Sequence, residues 1–321
     1  MHIGLVGLGK MGANMRQRIR DAGIEVTGFD RNPDVTDVPS LEALVEVLPA
    51  GERIVWVMVP SGAITDAVIR ELAGLLAPGD LVIDGGNSYY QDDAAHAAVL
   101  AEQGIGFVDA GVSGGIWGLE NGYGLMVGGA AGDVERAMPV FEALRPPGER
   151  ADGFVHAGPV GAGHYAKMVH NGIEYGLMQA YAEGYELLES QEIIQDVGGI
   201  LRAWQSGTVI RSWLLELAVR AVKEDPGLSR IAGFVEDSGE GRWSVEEALA
   251  AEVPAPVISA AVFARFTSRQ EDSSAMKLVA ALRGQFGGHA VRQASGPDTA
   301  APAQRSQTEA EQAIGETGAP E

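Results

Sequence analysis

Residues 2–22, HIGLVGLGKMGANMRQRIRDA, decide the fold. Residues 2–8 are an apolar run short enough for a buried strand, and a helix follows from Met11 to Ala22. Between them Gly7, Gly9 and Gly12 stand in GxGxxG spacing. Glycines there allow a tight turn and close backbone approach, and the helix N-terminus then faces a pyrophosphate. The motif predicts a dinucleotide site built from Gly7, Leu8, Gly9, Lys10, Met11 and Gly12. A second strand, IEVTGFDR (24–31), carries Asp30 18 residues beyond Gly12, where a carboxylate grips a ribose 2′-hydroxyl. That carboxylate repels a 2′-phosphate and favours NAD, while the neighbouring Arg31 can hold such a phosphate and keeps NADP open.

Working outward, RIVWVMVP (53–60), DLVIDGGN (80–87) and GIGFVDAGVSGG (104–115) read as three further strands. Helical segments at 41–48, 64–76 and 91–103 separate them. Strands alternating with helices predict a parallel sheet covered on both faces. YGLMVGGA (123–130) and GFVHAGP (153–159) are expected to close the domain. The pattern is helical over 162–222, 245–251 and 255–284. Residues 290–321 are rich in Ala, Gln, Pro, Gly, Ser, Thr and Glu and read as a disordered tail. The expected organisation is an α/β Rossmann-type domain over 1–160, an all-α substrate and dimerisation domain over 161–289, and that tail.

The 321 residues carry a formal net charge of −21, which argues against nucleic acid or an anionic membrane as partner. Absence of cysteine excludes disulfides, thiolate metal sites and cysteine nucleophiles. The start of the chain lacks a basic segment followed by an apolar core, and no apolar run approaches the roughly 20 residues that span a bilayer. A cytoplasmic location is the expectation.

Three polar loops follow the strands: MVPSG (58–62), DGGNSYY (84–90) and DAGVSGG (109–115). Ligands bind beyond the carboxyl ends of strands in such sheets. Val59, Pro60 and Asn87 are thereby expected at the cofactor, and Asn87, Ser113, Gly114 and Gly115 at a polar ligand beside it.

The helical stretch KMVHNGIEYG (167–176) carries an unusual mixture. At about 100° per residue, Lys167, His170, Asn171, Glu174 and Tyr175 fall within an arc of about 140°. Val169, Ile173, Leu177 and Ala180 fall on the other side and are expected to pack into the helical domain. Asn and Gly inside a helix each cost about 0.5–1 kcal/mol relative to Ala. A plain solvated face has no use for that cost, so the polar face is read as catalytic.

The fragments DGGNS, GVSGG, GAGHYAKMVHNGIEY and AVFAR occur here in the order found in 6-phosphogluconate dehydrogenases, and the chain resembles the short form of that family over residues 1–289. HNGIEY is the most specific of them. The wider β-hydroxyacid dehydrogenase group shares the GxGxxG, the SGG loop and the lysine, but is not expected to share the His-Asn…Glu-Tyr set. The resemblance implies NAD(P)-dependent oxidative decarboxylation of 6-phosphogluconate in gluconate utilisation and the pentose phosphate pathway. It implies Lys167 as general base and acid and Glu174 as second acid. Asn87, His170 and Asn171 match ligands of the sugar acid, above the loop of Ser113, Gly114 and Gly115. Tyr175 and Arg265 match phosphate ligands. LRGQFGGH (282–289) is similar to the family's C-terminal element, so Arg283 and His289 are expected to complete a neighbouring subunit's site in a homodimer or larger homo-oligomer.

One departure stands out. Long family members carry a lysine before a GKW-like element, whereas EDSGEGRWS (236–244) has none. Arg242 is the candidate replacement. The six histidines show no HxH or HExxH spacing, and no metal is expected. His164 is expected to do no more than cap or flank the catalytic helix. The competing reading is a β-hydroxyacid dehydrogenase for a small unphosphorylated acid such as 3-hydroxyisobutyrate.

Overall fold

The computed structural model describes residues 1–287 and 290–292. The chain alternates strand and helix from the start: β1 His2–Val6, α1 Lys10–Asp21, β2 Glu25–Phe29, α2 Leu41–Val47, β3 Ile54–Val57, α3 Ala63–Leu75, β4 Leu81–Asp84, α4 Tyr90–Ala101 and β5 Gly106–Ser113. A short helix α5 (Gly118–Asn121), β6 (Gly124–Gly129), α6 (Ala131–Leu144) and β7 (Phe154–Gly158) complete this part. The seven strands lie in the order β2-β1-β3-β4-β5-β6-β7. Order reverses between β1 and β3, which opens a crevice at the carboxyl end of β1. The apolar runs of β1, β3 and β4 are buried throughout because helices cover both sheet faces.

Two features go beyond the expected parallel sheet with its covering helices. β6 runs antiparallel to β5, pairing Ala110 with Val127 and Ser113 with Gly124. The tight return through α5 permits only that direction, since a parallel neighbour needs a crossover of a dozen or more residues. α6, unassigned from sequence, forms despite Pro139 in its interior. Its buried face of Val134, Ala137, Met138, Val140, Phe141 and Leu144 outweighs the proline's cost.

The helices that follow are α7 (Ala162–Glu189), α8 (Val197–Trp204), α9 (Trp213–Glu224), α10 (Glu240–Ala250), α11 (Pro256–Ser268) and α12 (Ser274–Gly287). Among them α10 begins five residues before the expected 245, and the helical segment 255–284 holds two helices, α11 and α12. Met1–Arg269 is one compact unit, so the expected change of domain at 160/161 falls inside it. The second unit starts at Gln270 and contains α12. The expected tail lies outside the described residues apart from 290–292. No helix among the described residues is long and apolar enough to cross a membrane.

α7 packs directly on β5 and β6. Glycine makes this possible: a Cβ on Gly163 would lie 2.4 Å from the Met126 carbonyl oxygen, and one on Gly111 would lie 2.5 Å from the Lys167 Cβ. Asp109, fully buried on β5, accepts hydrogen bonds from the backbone N–H groups of Gly161 (2.7 Å) and His164 (2.9 Å). It thereby satisfies orphan donors at the start of α7 and favours its dipole. Gly163→Ala is expected to destabilise the protein by about 1–3 kcal/mol, since backbone carbonyls rather than flexible side chains obstruct the methyl group. Urea unfolding measures this, and an unchanged midpoint would contradict the close docking of α7.

Candidate active site

The crevice beyond β1 is a cavity of about 600 Å³ lined by Gly7, Gly9, Lys10, Met11, Gly12, Asp30, Arg31, Val59, Pro60 and Asn87. Gly7 has φ +94° and a Cβ there would sit 2.4 Å from the Met58 carbonyl oxygen; a Cβ on Gly12 would sit 1.9 Å from that of Gly7. Gly9 provides no side-chain cap to α1, which leaves the first N–H groups of the helix facing the cavity. These features fit a dinucleotide: a glycine turn, an uncapped helix start and an acid at the next strand's end. Asp30 accepts from the Leu8 N–H at 2.6 Å and the Asn32 N–H at 2.8 Å, so it also braces its own loop. Leu8 contributes only backbone here, because its side chain is buried in the core.

Beside it lies a cavity of about 790 Å³ whose lining brings together Asn87, Ser113, Gly114, Gly115, Lys167, His170, Asn171 and Glu174. Met11, Asn87 and Val112 line both cavities, so the two are neighbours. His170 spans the site, with Nε2 3.3 Å from the Ser113 hydroxyl and Nδ1 3.0 Å from Asn171 Oδ1. Glu174 lies 3.8 Å from His170.

The two faces of α7 are the reverse of the expectation. Lys167, Asn171 and Tyr175 are buried, whereas Val169, Ile173, Leu177 and Ala180 are exposed, Ile173 by 53%. The polar edge packs against α10 through small residues. Ser244 donates to the Met168 carbonyl at 3.0 Å, and a Cβ on Gly172 would lie 2.9 Å from its hydroxyl oxygen. A Cβ on Gly241 would meet the Tyr175 ring at 2.4 Å. Periodicity gives the angle between the faces but not which one a later helix will cover, and that is the cause of the error.

Lys167 is 8% exposed. Burial pushes its ammonium pKa down, while Glu174 and Glu240 pull it the other way. Its amine donates to Asn171 Oδ1, and Asn171 Nδ2 donates to Glu240 Oε1 at 2.8 Å. Glu240 Oε2 accepts from the Ser238 hydroxyl. Sequence reasoning missed Glu240, which lies within EDSGEGRWS but whose partner Asn171 is 69 residues away in the chain.

Tyr175 and Arg265 do not line the larger cavity. The Arg265 guanidinium stacks 3.6 Å from the Tyr175 ring centre, and its Nη1 donates to the Glu236 carbonyl. Tyr175 Oη meets Ser238, which lines the cofactor cavity. Arg242 pairs with the buried side chain of Asp237 at 2.8 Å, and Arg269 pairs with the same carboxylate at 3.1 Å. Burial alone would raise the Asp237 pKa, yet Arg269 and Arg242 hold it below the usual range. Arg283 is exposed on α12, in the second unit, and His289 lies outside the described residues.

Beneath the site His164 does more than flank the helix. Fully buried, its Nδ1 meets both oxygens of buried Asp93 on α4, at 3.0 and 2.9 Å. Asp84 accepts from the Gly86 N–H at 3.0 Å and the Ser88 hydroxyl at 2.7 Å, shaping the loop that carries Asn87. The sets Asp84/Asp93/His96 and Asp93/Asp109/His164 each bring their ligating atoms within 4.8 Å. Their aspartates are engaged by backbone, hydroxyl and imidazole groups of the fold, which assigns them a structural part. Burial pushes Asp93 up to about 7. Burial opposes the His164 imidazolium, but the hydrogen bond and charge of Asp93, with Asp84 and Asp109 behind it, push it up to about 9.

Two family profiles match successive stretches of the chain. Residues 2–146 match the profile of the NAD binding domain of 6-phosphogluconate dehydrogenase, and residues 163–283 match that of the 6-phosphogluconate dehydrogenase C-terminal domain. YqeC of Bacillus subtilis, named provisionally as a 6-phosphogluconate dehydrogenase, is 41% identical over 300 residues, covering 91% of this chain and 99% of that protein. The NAD(+)-dependent decarboxylating 6-phosphogluconate dehydrogenase of Haloferax volcanii is 40% identical over 301 residues, covering 91% and 98%. Among solved structures, Plasmodium falciparum 6-phosphogluconate dehydrogenase, studied with NADP+ and with 6-phosphogluconate, superposes with a TM-score of 0.75 at 25% identity, covering 93% of this chain and 67% of that one.

The His164–Asp93 pair generates a pH prediction. Both pKa values are raised by folding, so both contributions to stability are present at low pH and lost as pH rises, through about 7 for Asp93 and about 9 for His164. The wild-type thermal midpoint is expected to fall between pH 6.5 and above 9 beyond any drop seen in Asp93→Asn, which cannot hold the imidazolium. Equal slopes in the two proteins, read by calorimetry, would refute the assignment.

Proposed function

The chain belongs to the 6-phosphogluconate dehydrogenase family, and we propose on that premise that it converts 6-phosphogluconate to ribulose 5-phosphate and carbon dioxide with NAD(P). The observation that carries this reading is a lysine of depressed pKa in one cavity with a carboxylate, an imidazole, two amides and the SGG loop, beside the glycine cleft. NAD(P) held by Gly7, Gly9–Gly12, Asp30, Val59 and Pro60 supplies the hydride acceptor. Asn87 and the Ser113–Gly115 loop orient the sugar acid beneath it.

Lys167, neutral when substrate arrives, takes the proton from the carbon-3 hydroxyl as the carbon is oxidised. As carbon dioxide leaves, the lysine, now an ammonium, donates to the oxygen that accepts the electrons. Glu174 then protonates carbon 1 of the enediol. His170 and Asn171 hold the hydroxyls and carboxylate. Tyr175 and Arg265 are assigned the phosphate, with Arg283 and His289 contributed by a neighbouring subunit of a homodimer or larger homo-oligomer. Exposed apolar residues of α7, α9 and α11, among them Ile173, Trp213 and Val257, support a buried interface. A cytoplasmic location belongs to the same proposal. NAD is the favoured cofactor because the Asp30 carboxylate edges the cleft, although Arg31 lines it too.

Purified protein with 6-phosphogluconate is expected to reduce NAD in preference to NADP and to release one carbon dioxide per reduced cofactor. Lys167→Met is expected to lower kcat by about 10²–10⁴-fold, with NAD affinity by calorimetry nearly unchanged. Absence of wild-type turnover with both cofactors, or a preference for 3-hydroxyisobutyrate, would overturn the reading.

A further inference from the structure

Glu240 has no part in the chemistry above, yet it is one of the most deeply buried charged residues of the helical region, 2% exposed. It occupies the first position of α10, where a carboxylate suits the helix dipole. Among the described residues no cation lies within salt-bridge distance of it. A buried carboxylate without an ion pair is expensive, and a neutral residue would satisfy packing alone. Both oxygens are instead spent on aimed partners: Oε1 on Asn171 Nδ2 and Oε2 on the Ser238 hydroxyl.

The consequence lies one group further on. A carboxylate only accepts hydrogen bonds, so the end of the Asn171 amide that faces it must be the NH₂. The amide oxygen is therefore turned the other way, to the Lys167 amine and the His170 Nδ1. Without an acceptor at 240 the Asn171 NH₂ loses its partner, only the Lys167 amine and the His170 ring are left to set the amide, and the flipped orientation would set an NH₂ against the lysine. We propose that Glu240 is a positioning residue of the reaction: it fixes the amide of Asn171 and, through that amide, the Lys167 amine and the His170 ring at the wall of the substrate cavity. The proposal rests on the assignment of Lys167 as the base.

The arrangement has an electrostatic result. The carboxylates that act on Lys167 are Glu174, on its own helix, and Glu240, from α10. His170 is its other titratable neighbour on α7, held to the same amide oxygen. β5 meets Lys167 through Gly111, which has no side chain, and Asp109 of that strand is turned to the backbone of Gly161 and His164. Removing the Glu240 charge therefore disfavours the ammonium form, and Lys167 loses its proton at lower pH.

Glu240→Gln keeps the shape, an oxygen for Asn171 and an NH₂ for the Ser238 hydroxyl, but removes the charge. In the full-length protein, acetylation of Lys167 by acetic anhydride, followed by mass spectrometry across pH, reads the amine directly, with Lys10, Lys223 and Lys277 as references. The labelling midpoint of Lys167 is expected to move down by about one pH unit, and the acid limb of kcat/KM for 6-phosphogluconate is expected to move with it. Glu240→Ala, which frees the amide, is expected to lower kcat about 10-fold or more with KM for NAD unchanged. An unmoved midpoint together with an unmoved acid limb in Glu240→Gln would overturn the proposal. So would a Glu240→Ala enzyme that keeps wild-type kcat. A shifted Lys167 midpoint in a protein whose wild type shows no turnover would sink the proposed reaction and leave the positioning role standing.

Discussion

Everything in the site depends on how closely α7 can lie on the sheet. The strand ends of a doubly wound fold supply a cleft and loops, but few groups able to move protons. Those groups arrive on a helix that follows the sheet in sequence and must be brought against β5. Two missing side chains, at Gly111 and Gly163, remove the atoms that would hold it away. Asp109 then binds the freed N–H groups at the helix start and fixes where it begins. Lys167 follows three residues after His164, so it sits next to the strand end rather than a helix diameter from it. The same closeness makes the lysine buried, and burial is what depresses its pKa.

This explains why much of the architecture was legible and part of it was not. The glycine spacing, the strand–helix alternation and Asp30 are local signals whose meaning is set within about 30 residues, and the cavity beyond β1 contains the residues they pointed to. Helix existence in α7 was equally local. Its orientation was not: the apolar stripe of Val169, Ile173 and Leu177 looks like a core face, and the covering helix that would have corrected this lies some 70 residues on, at α10. The stripe faces a cavity instead. The direction of β6 and the helicity of α6 were hidden for a related reason. The first follows from the short return through α5, and the second from what α6 buries, against the bias of Pro139.

EDSGEGRWS shows the same limit at the scale of single residues. Compared with a longer relative's pattern it showed only a loss, that of a lysine. In the structure its second half opens a helix, where Gly241 leaves room for the Tyr175 ring and Ser244 packs against the bare Cα of Gly172. Asp237 is taken by Arg242 and Arg269, which accounts for the arginine that looked like a spare phosphate ligand. Glu240 could be recognised only once its partner Asn171, 69 residues earlier, was seen beside it.

An acidic chain of net charge −21 that handles an anionic sugar acid has to solve a problem of placement rather than of total charge. At physiological salt, surface charges beyond about 8–10 Å are largely screened. What matters is which way the nearby acids point. Asp84, Asp93 and Asp109 are close to the strand ends, and their hydrogen bonds are made to loop and helix backbone, to the Ser88 hydroxyl and to His164. Glu240 points at an amide. Glu174 is the carboxylate left lining the larger cavity, and the proposed reaction asks for one acid there, a proton donor for carbon 1. The acids that the fold spends on holding α4, α7 and α10 together are thus the same ones that must be kept off the substrate, and burying them in hydrogen bonds does both.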